Sequence, residues 1–346
     1  RDSPGGWGGL GHPAPMTASR HLLITGGAGY VGRHVIASAL AAGHQVRATL
    51  RDPAKAPEPA LIGGQVEWVR ADLLRDAGWE AAFDGIDALL HTASPVPIGA
   101  PKRDKDVIRP ALEGTERVLH AAARAGLRRV VLTSSIAAML SAPGKPAGAP
   151  FGAEDWTDAT DSANRAYARA KTLAEQAAHR IAAEAGMSLI ALNPGVVFGA
   201  PRGGGVTSSL ALIDRLIAGR DPLLPRLAIP CVTAGDVAEA HLAALAGLER
   251  AAPGARVPLV ADTVPLRDIA EIVRRAVPEA RPSRGTAPDW LVRAAARLSP
   301  SVRAAAGGLG RVDRVETETA ATLLGRPLSD PRAAIAETAR ALAAMR

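Results

Sequence analysis

From Arg20 onward, short apolar runs alternate with longer stretches in which apolar residues return every three to four positions. "HLLITGG" reads as a strand entering a turn, "VGRHVIASALAAG" as a helix closed by Gly43, and "HQVRATLRD" as a second strand. "QVEWVRADL", "IDALLHTA", "RRVVLTSS" and "MSLIALNPG" each supply a further short strand, with helical segments such as "PALEGTERVLHAAARAG" between them. Strand, helix, strand repeated in this way predicts an α/β fold, a doubly wound parallel sheet with helices on both faces, because a parallel return needs a long crossover. After Gly195 the rhythm changes. "SSLALIDRLIAG", "GDVAEAHLAALAGLER", "LRDIAEIVRRAV" and "PDWLVRAAARL" read as helices, and only "RVPLVA" is clearly strand-like. The expected division is a leader over 1–19, a sheet domain over 20–199, and a smaller, mostly helical substrate-binding region over 200–346 packed on the sheet. No internal repeat and no heptad seam runs through the chain.

Composition narrows the class. Of 346 residues 47% are apolar and 22% charged, which is ordinary for a globular chain with a sizeable core. Aromatics are only 3%, so that core must be built from Ala, Val, Leu and Ile. A net charge of +7 would suit an anionic macromolecule if it were clustered. It is spread instead: arginines occur in every segment with acidic residues beside them, and the densest cluster, "KRDK" at Lys102 to Lys105, contains Asp104. A solvated basic surface follows, and neither nucleic acid nor membrane is expected as a partner. Cys231 is the only cysteine, which excludes an intrachain disulfide and fits a buried thiol in a reducing, cytoplasmic setting. The histidines show no HxxxH or HExxH pairing, so no metal is expected. Arg1 to Pro15 is rich in Gly and Pro without an apolar core and reads as a leader, with Met16 the expected first residue. The uncharged run from Ala185 to Pro201 is broken by Asn193, Pro194 and glycines, so it reads as strand and turn rather than a membrane span.

Candidate chemistry begins at "TGGAGYVG", which follows the first strand and opens a helix with Gly26, Gly29 and Gly32 spaced GxxGxxG. Glycines let the backbone turn tightly and approach a pyrophosphate, whose charge the helix N-terminus stabilises. In that context Gly26, Gly29, Tyr30, Val31 and Gly32 are candidate dinucleotide contacts, and the sheet becomes a Rossmann-type one. The second strand ends in "RATLRDP". Arg51 there suits the 2′-phosphate of NADP(H), with Arg47 on the same alternating face, while the following Asp52 leaves NAD(H) open. Asp72 and Leu73 end the third strand, where they can meet an adenine, although Asp72 is equally suited to capping a helix. "HTASP" ends the fourth, where Thr92, Ala93 and Ser94 are small enough for close approach of a ribose.

"YARAK" then stands out, because it spends one of only two tyrosines. In a helix expected over Asn164 to Glu184, Tyr167 and Lys171 lie four apart on one face, beside an apolar stripe of Ala163, Ala166, Ala170, Leu173, Ala177 and Ile181. A cation near a phenol favours its ionised form and lowers its pKa from about 10. Ser134 and Ser135 fall 33 and 32 residues earlier, at the carboxyl end of "VVLTSS", where open parallel sheets bind ligands. Ser135 can donate to a carbonyl there or cap the next turn.

Taken together, "TGGAGYVG", "RATLRDP", "HTASPVP", "RRVVLTSS", "YARAKTLAEQAA" and "LNPGVVFGA" resemble the extended short-chain dehydrogenase/reductase family, the epimerase/dehydratase superfamily. Within it the order is most similar to the branch of dihydroflavonol reductases and related aldehyde and ketone reductases. The resemblance covers Arg20 to about Gly199 and returns weakly at "GDVAEAHLAAL". It implies a catalytic triad of Ser135, Tyr167 and Lys171, and it implies that Asn193 to Val197, including Pro194, Gly195 and Val197, line the nicotinamide end of the cofactor site. It further implies hydride exchange between NADP(H) and a carbonyl or secondary alcohol of a small molecule, with Tyr167 as proton donor and Lys171 tuning it and holding a ribose. A homodimer is compatible with it. Three positions depart from the pattern: Ala111 in "ALEGT" replaces an asparagine of the epimerases, Met139 replaces the substrate-binding asparagine of plant dihydroflavonol reductases, and "VTAGD" replaces a VDVRD-like stretch. A nucleotide-sugar epimerase or dehydratase, a 3-beta-hydroxysteroid dehydrogenase-like enzyme, and a non-catalytic cofactor sensor are the alternatives.

Overall fold

The computed structural model describes residues 19–95, 103–205, 208–297, 302–303 and 306–346. The expected leader, Val96 and Pro97 of "HTASPVP", and Lys102 lie outside the described residues. Six parallel strands come from the first part of the chain: β1 (His21–Thr25), β2 (Gln45–Leu50), β3 (Glu67–Arg70), β4 (Ala88–His91), β5 (Arg129–Thr133) and β6 (Ser188–Pro194). Within one sheet they follow the order β3-β2-β1-β4-β5-β6. The order reverses between β1 and β4, which opens a crevice beyond their carboxyl ends.

The apolar runs are continuous because both faces are covered. Along β1, Leu22 and Ile24 enter the core under α1 (Tyr30–Ala41), whereas Leu23 enters the core of the opposite face, under α3 (Trp79–Phe83), α4 (Lys105–Arg124) and α5 (Ala166–Glu184). A short α2 (Pro59–Ile62) precedes β3. α1 closes as its sequence predicts, with Gly43 taking the left-handed conformation just beyond it.

Beyond residue 200 the structure corrects the expected division. β9 (Arg256–Leu259) pairs in parallel with β6 and completes the main sheet as its seventh strand. α7 (Ala234–Gly247) shares the core face of α1. The sheet domain therefore draws on chain well past residue 199. The region is mostly helical in its described residues but holds more strand than "RVPLVA" alone, because β8 (Ala228–Thr233) and β10 (Asp262–Pro265) join β7 (Val196–Phe198) in a second, three-stranded sheet. Gly195 makes the passage from β6 into β7 possible, since a Cβ there would lie 2.5 Å from the Pro230 carbonyl oxygen. α6 (Ser208–Ile217), α8 (Leu266–Ala276), α9 (Asp289–Ala295), α10 (Glu318–Leu324) and α11 (Pro331–Ala344) complete the described elements.

Buried polar groups join the late segments to the sheet domain. Thr338 of α11 donates to the Gly199 carbonyl at 3.0 Å and accepts from the Gly199 amide at 2.8 Å. Asp236 of "VTAGD" is buried and bridges Arg326 at 2.8 Å, the Ser329 amide at 2.8 Å and the Ser329 hydroxyl at 3.0 Å. Removing that carboxylate strands three donors, each worth about 1–3 kcal/mol when bonded to a charge, with water replacing part of the loss at the half-exposed Arg326. Asp236→Ala is expected to lower stability by about 2–4 kcal/mol, read as a drop in the urea midpoint at unchanged slope.

Candidate active site

The crevice is built where β1 meets β4. Thr92 donates from its hydroxyl to the Thr25 carbonyl at 2.7 Å, and the Thr25 hydroxyl accepts from the Ala93 amide at 3.2 Å. These bonds press the glycine turn against the end of β4, so that a Cβ on Gly26, whose φ is +67°, would lie 2.8 Å from Ala93 Cα. A Cβ on Gly32 would lie 2.4 Å from the Gly26 carbonyl oxygen. Gly29, at the N-cap of α1, gives that helix no side-chain cap. A bare backbone turn leading into an uncapped helix end fits a pyrophosphate, because only backbone N–H groups face it.

Around that turn, several predicted contacts find other work. Tyr30 is buried, its hydroxyl donates to the Gly199 carbonyl at 2.9 Å, and its ring meets His34 edge-on. Burial, then the charge of Glu337, pushes its phenol well above the ordinary value. Its side chain is thus a structural tie rather than a cleft group. Val31 packs half-buried against the core. Arg51 is exposed at the end of β2, and Asp52 caps the following 3-10 turn by accepting from the Ala54 amide at 3.2 Å. Arg47, expected to share the face of Arg51, is instead pinned at the other end of β2, to Glu67 at 2.9 Å and to the carbonyls of Ala81, Ala82 and Asp84. Asp72 accepts from the Leu74 amide at 3.0 Å in a local turn, and Leu73 packs half-buried against the core.

At the carboxyl end of β5 the two serines diverge. Ser134 turns inward and donates to the buried carboxylate of Glu175. Ser135 accepts from the Ala137 amide at 3.2 Å, capping a 3-10 turn, and its hydroxyl is near enough to Tyr167 to lower that phenol. Of the two roles foreseen for Ser135, the structure shows the cap. α5 starts at Ala166, two residues later than expected, and carries Tyr167, Lys171 and Glu175 at successive four-residue steps. Its buried face is shifted from the expected stripe: Lys171 and Glu175 are 8% and 1% exposed, whereas Leu173 is only half-buried.

Burial sets the electrostatics. Tyr167 keeps 36% of its surface open, but its hydroxyl end is enclosed, which pushes the phenol up against the opposing effect of the Ser135 hydrogen bond. The expected lowering of that phenol by Lys171 is not found; the one opposing effect comes from Ser135. Lys171 donates to the Thr133 carbonyl at 3.3 Å. Burial pushes it down to about 8, against the upward pull of Glu175. His91 bonds the Thr25 hydroxyl at 2.7 Å and is driven to about 3 by burial and then by Lys171, so it stays neutral. His91, Ser94, Thr133, Ser134, Lys171 and Glu175 share a small internal cavity of about 10 Å³. A cavity of about 700 Å³ lies elsewhere, between α1, α7 and α11, and is lined by none of Ser135, Tyr167 and Lys171.

Pro194 and Val197 are buried, while Gly195 and Val196 keep part of their surface open. Asn193 is fully buried, with its amide donating to Glu175 at 2.8 Å and to the Ser135 carbonyl at 3.2 Å. Met139 is fully buried beside Ile136 and Val260, so that position offers no polar handle to a ligand. Sequence reasoning missed Glu175, although its place four residues after Lys171 put it on the same face. It also missed Arg256, whose pairing with Glu175 no local pattern announces.

Comparison with known proteins agrees with this architecture. The NAD dependent epimerase/dehydratase family matches residues 22–257. Tetraketide alpha-pyrone reductase 2 of Arabidopsis thaliana is 32% identical over 234 residues, 64% of this chain and 73% of that protein. Cinnamoyl-CoA reductase CAD2 of Medicago truncatula is 32% identical over 269 residues, 74% and 81% of the two chains. Among solved structures, yeast methylglyoxal/isovaleraldehyde reductase Gre2 complexed with NADPH superposes with a TM-score of 0.76 at 22% identity, over 94% of this chain and 99% of that one.

The assignment of Tyr30 has a direct check. Tyr30→Phe is expected to cost about 1 kcal/mol of stability, the usual net worth of one hydrogen bond, and to leave the dissociation constants of NADPH and NADH unchanged in fluorescence titration.

Proposed function

Because the chain belongs to the NAD dependent epimerase/dehydratase family, we propose that it is a reductase of the extended short-chain dehydrogenase/reductase type. It reduces an aldehyde or ketone of a small organic molecule, with NADPH preferred to NADH. The observation that carries this reading is the placement of Ser135 at the end of β5 with Tyr167 and Lys171 one turn apart on α5, Lys171 donating to the Thr133 carbonyl of the same strand at 3.3 Å. The names of the relatives, reductases of a pyrone and of a cinnamoyl thioester, support the reaction class. Arg51, exposed at the end of β2, supports NADPH.

When bound, the dinucleotide supplies the hydride. The protein's residues then manage the substrate oxygen. Ser135 donates a hydrogen bond to it and holds it beside Tyr167. Tyr167 gives its proton as the oxygen becomes an alkoxide, and burial keeps that proton in place at neutral pH by favouring the uncharged phenol. Lys171 places a cation under the same site and offers its N–H groups to a ribose. No described helix is long and apolar enough to cross a membrane; cytoplasmic residence is part of the proposal.

A spectrophotometric screen of NADPH and NADH oxidation against diverse aldehydes and ketones tests the reading. It fails if no carbonyl is reduced while a nucleotide sugar is converted without net consumption of cofactor. Tyr167→Phe is expected to lower turnover by about two orders of magnitude or more, the scale of lost general-acid catalysis, with cofactor affinity close to wild type. Arg51→Ala is expected to weaken NADPH by about tenfold, the worth of one charge-assisted phosphate contact, and NADH by much less; equal effects on both would remove Arg51 from cofactor selection.

A further inference from the structure

Behind Ser135 and Lys171 lies a charge pair that the reaction does not touch. Glu175 and Arg256 of β9 meet at 2.5 Å with both side chains out of water. The remaining donors around Glu175 are all uncharged: Ser134 gives its hydroxyl, and Asn193 gives its amide at 2.8 Å. Each of these partners, Arg256 included, donates to the Glu175 carboxyl group. Arg256 is itself fixed, because its Nη1 donates to the carbonyls of Ala153 at 2.8 Å and Asp155 at 2.5 Å, and its guanidinium lies 3.5 Å from the centre of the Trp156 ring.

This cluster reaches the reacting groups by two routes. Ser134 adjoins Ser135, and Asn193 binds the Ser135 carbonyl at 3.2 Å, so Glu175 anchors the backbone that presents the Ser135 hydroxyl. Glu175 also lines the same small cavity as Lys171, one helical turn away. We propose that Glu175 is a positioning residue for the reductive chemistry proposed above, fixing the Ser135 strand end and setting its carboxyl group in the cavity that Lys171 lines, one helical turn away.

The charge argument depends on what else surrounds Lys171. α5 contributes Tyr167 and Glu175, with His179 a turn beyond beside Trp156. β4 contributes His91, which is neutral, and β9 contributes Arg256, whose charge Glu175 already meets. α7 contributes His241, bonded at 2.7 Å to the Thr133 hydroxyl and driven to about 4 by burial. α4 brings only Ala111 and Thr115 to the cavity. Among the described residues Glu175 is therefore the one charged group that favours the ammonium form of Lys171. Without its charge, burial acts unopposed and the stranded Arg256 cation adds to it. Lys171 then loses its proton at lower pH, and the alkaline fall of the reductive rate moves to lower pH with it.

The test reads Lys171 directly. The chain has five lysines, so side-chain carbon-13 signals of labelled lysine can be followed against pH and that of Lys171 assigned by its loss in Lys171→Met. In wild type it is expected to titrate near 8. In Glu175→Gln the midpoint is expected to fall by about one pH unit or more, with the alkaline limb of kcat/KM falling alongside it. If Glu175→Gln does not fold, the double variant Glu175→Gln, Arg256→Met removes both charges and leaves no stranded cation; its Lys171 is also expected to titrate below wild type. A Lys171 midpoint at the wild-type value in either folded variant overturns the proposal. The reductase reading fails separately: a shifted Lys171 in a protein that reduces no carbonyl leaves the positioning intact, and carbonyl reduction with an unshifted Lys171 removes the positioning alone.

Discussion

Seven strands running in one direction place all their carboxyl ends on one edge of the sheet, and each return demands a crossover on one face or the other. Everything chemical in this protein follows from that constraint. β1 delivers the glycine turn, β2 delivers Arg51, β4 delivers Thr92 to Ser94, and β5 delivers the two serines, all to the same edge. The crossover from β5 to β6 is α5, so a helix that must pack on the sheet face lays Tyr167 and Lys171 beside the end of the strand it has just left.

The edge is also where the sheet is least able to protect polar groups, and the protein closes it with side chains from far along the chain. Arg256 arrives from the seventh strand, 81 residues after Glu175. A buried ion pair seldom adds stability over apolar residues of the same volume, because desolvating both charges offsets their attraction. Retaining one behind Ser135 and Lys171 makes sense as fixation: Glu175 has three donors, Arg256 has carbonyls and a ring, and neither can move without stranding the other.

How much of this was legible in the sequence follows from how local each feature is. The glycine spacing, the four-residue step from Tyr167 to Lys171 and the serines closing "VVLTSS" are each contained within one element and its turn, so period and spacing were enough to find them. The later sheet was not, since β7 and β10 are only three and four residues long and β8 carries Pro230 within it. Arg47 shows a different limit. Alternation along β2 could not see the carbonyls at the end of α3 that hold it. The tie made by the Tyr30 side chain was out of reach for a similar reason, because its partner, Gly199, lies 169 residues away. Asn193, Glu175 and Arg256 meet only once three separate segments are packed.

Desolvation acts in opposite chemical senses on the two residues of "YARAK". It holds the Tyr167 phenol in its protonated form and presses the Lys171 ammonium toward its neutral one. Left to burial alone, the site would present a loaded proton donor but no cation beneath it. In the proposed reduction a loaded donor is what Tyr167 needs, since the phenol must hold its proton until the alkoxide forms. Lys171 supplies its cation only while it is charged, and the proposed support for that charge is Glu175, one turn further along the helix.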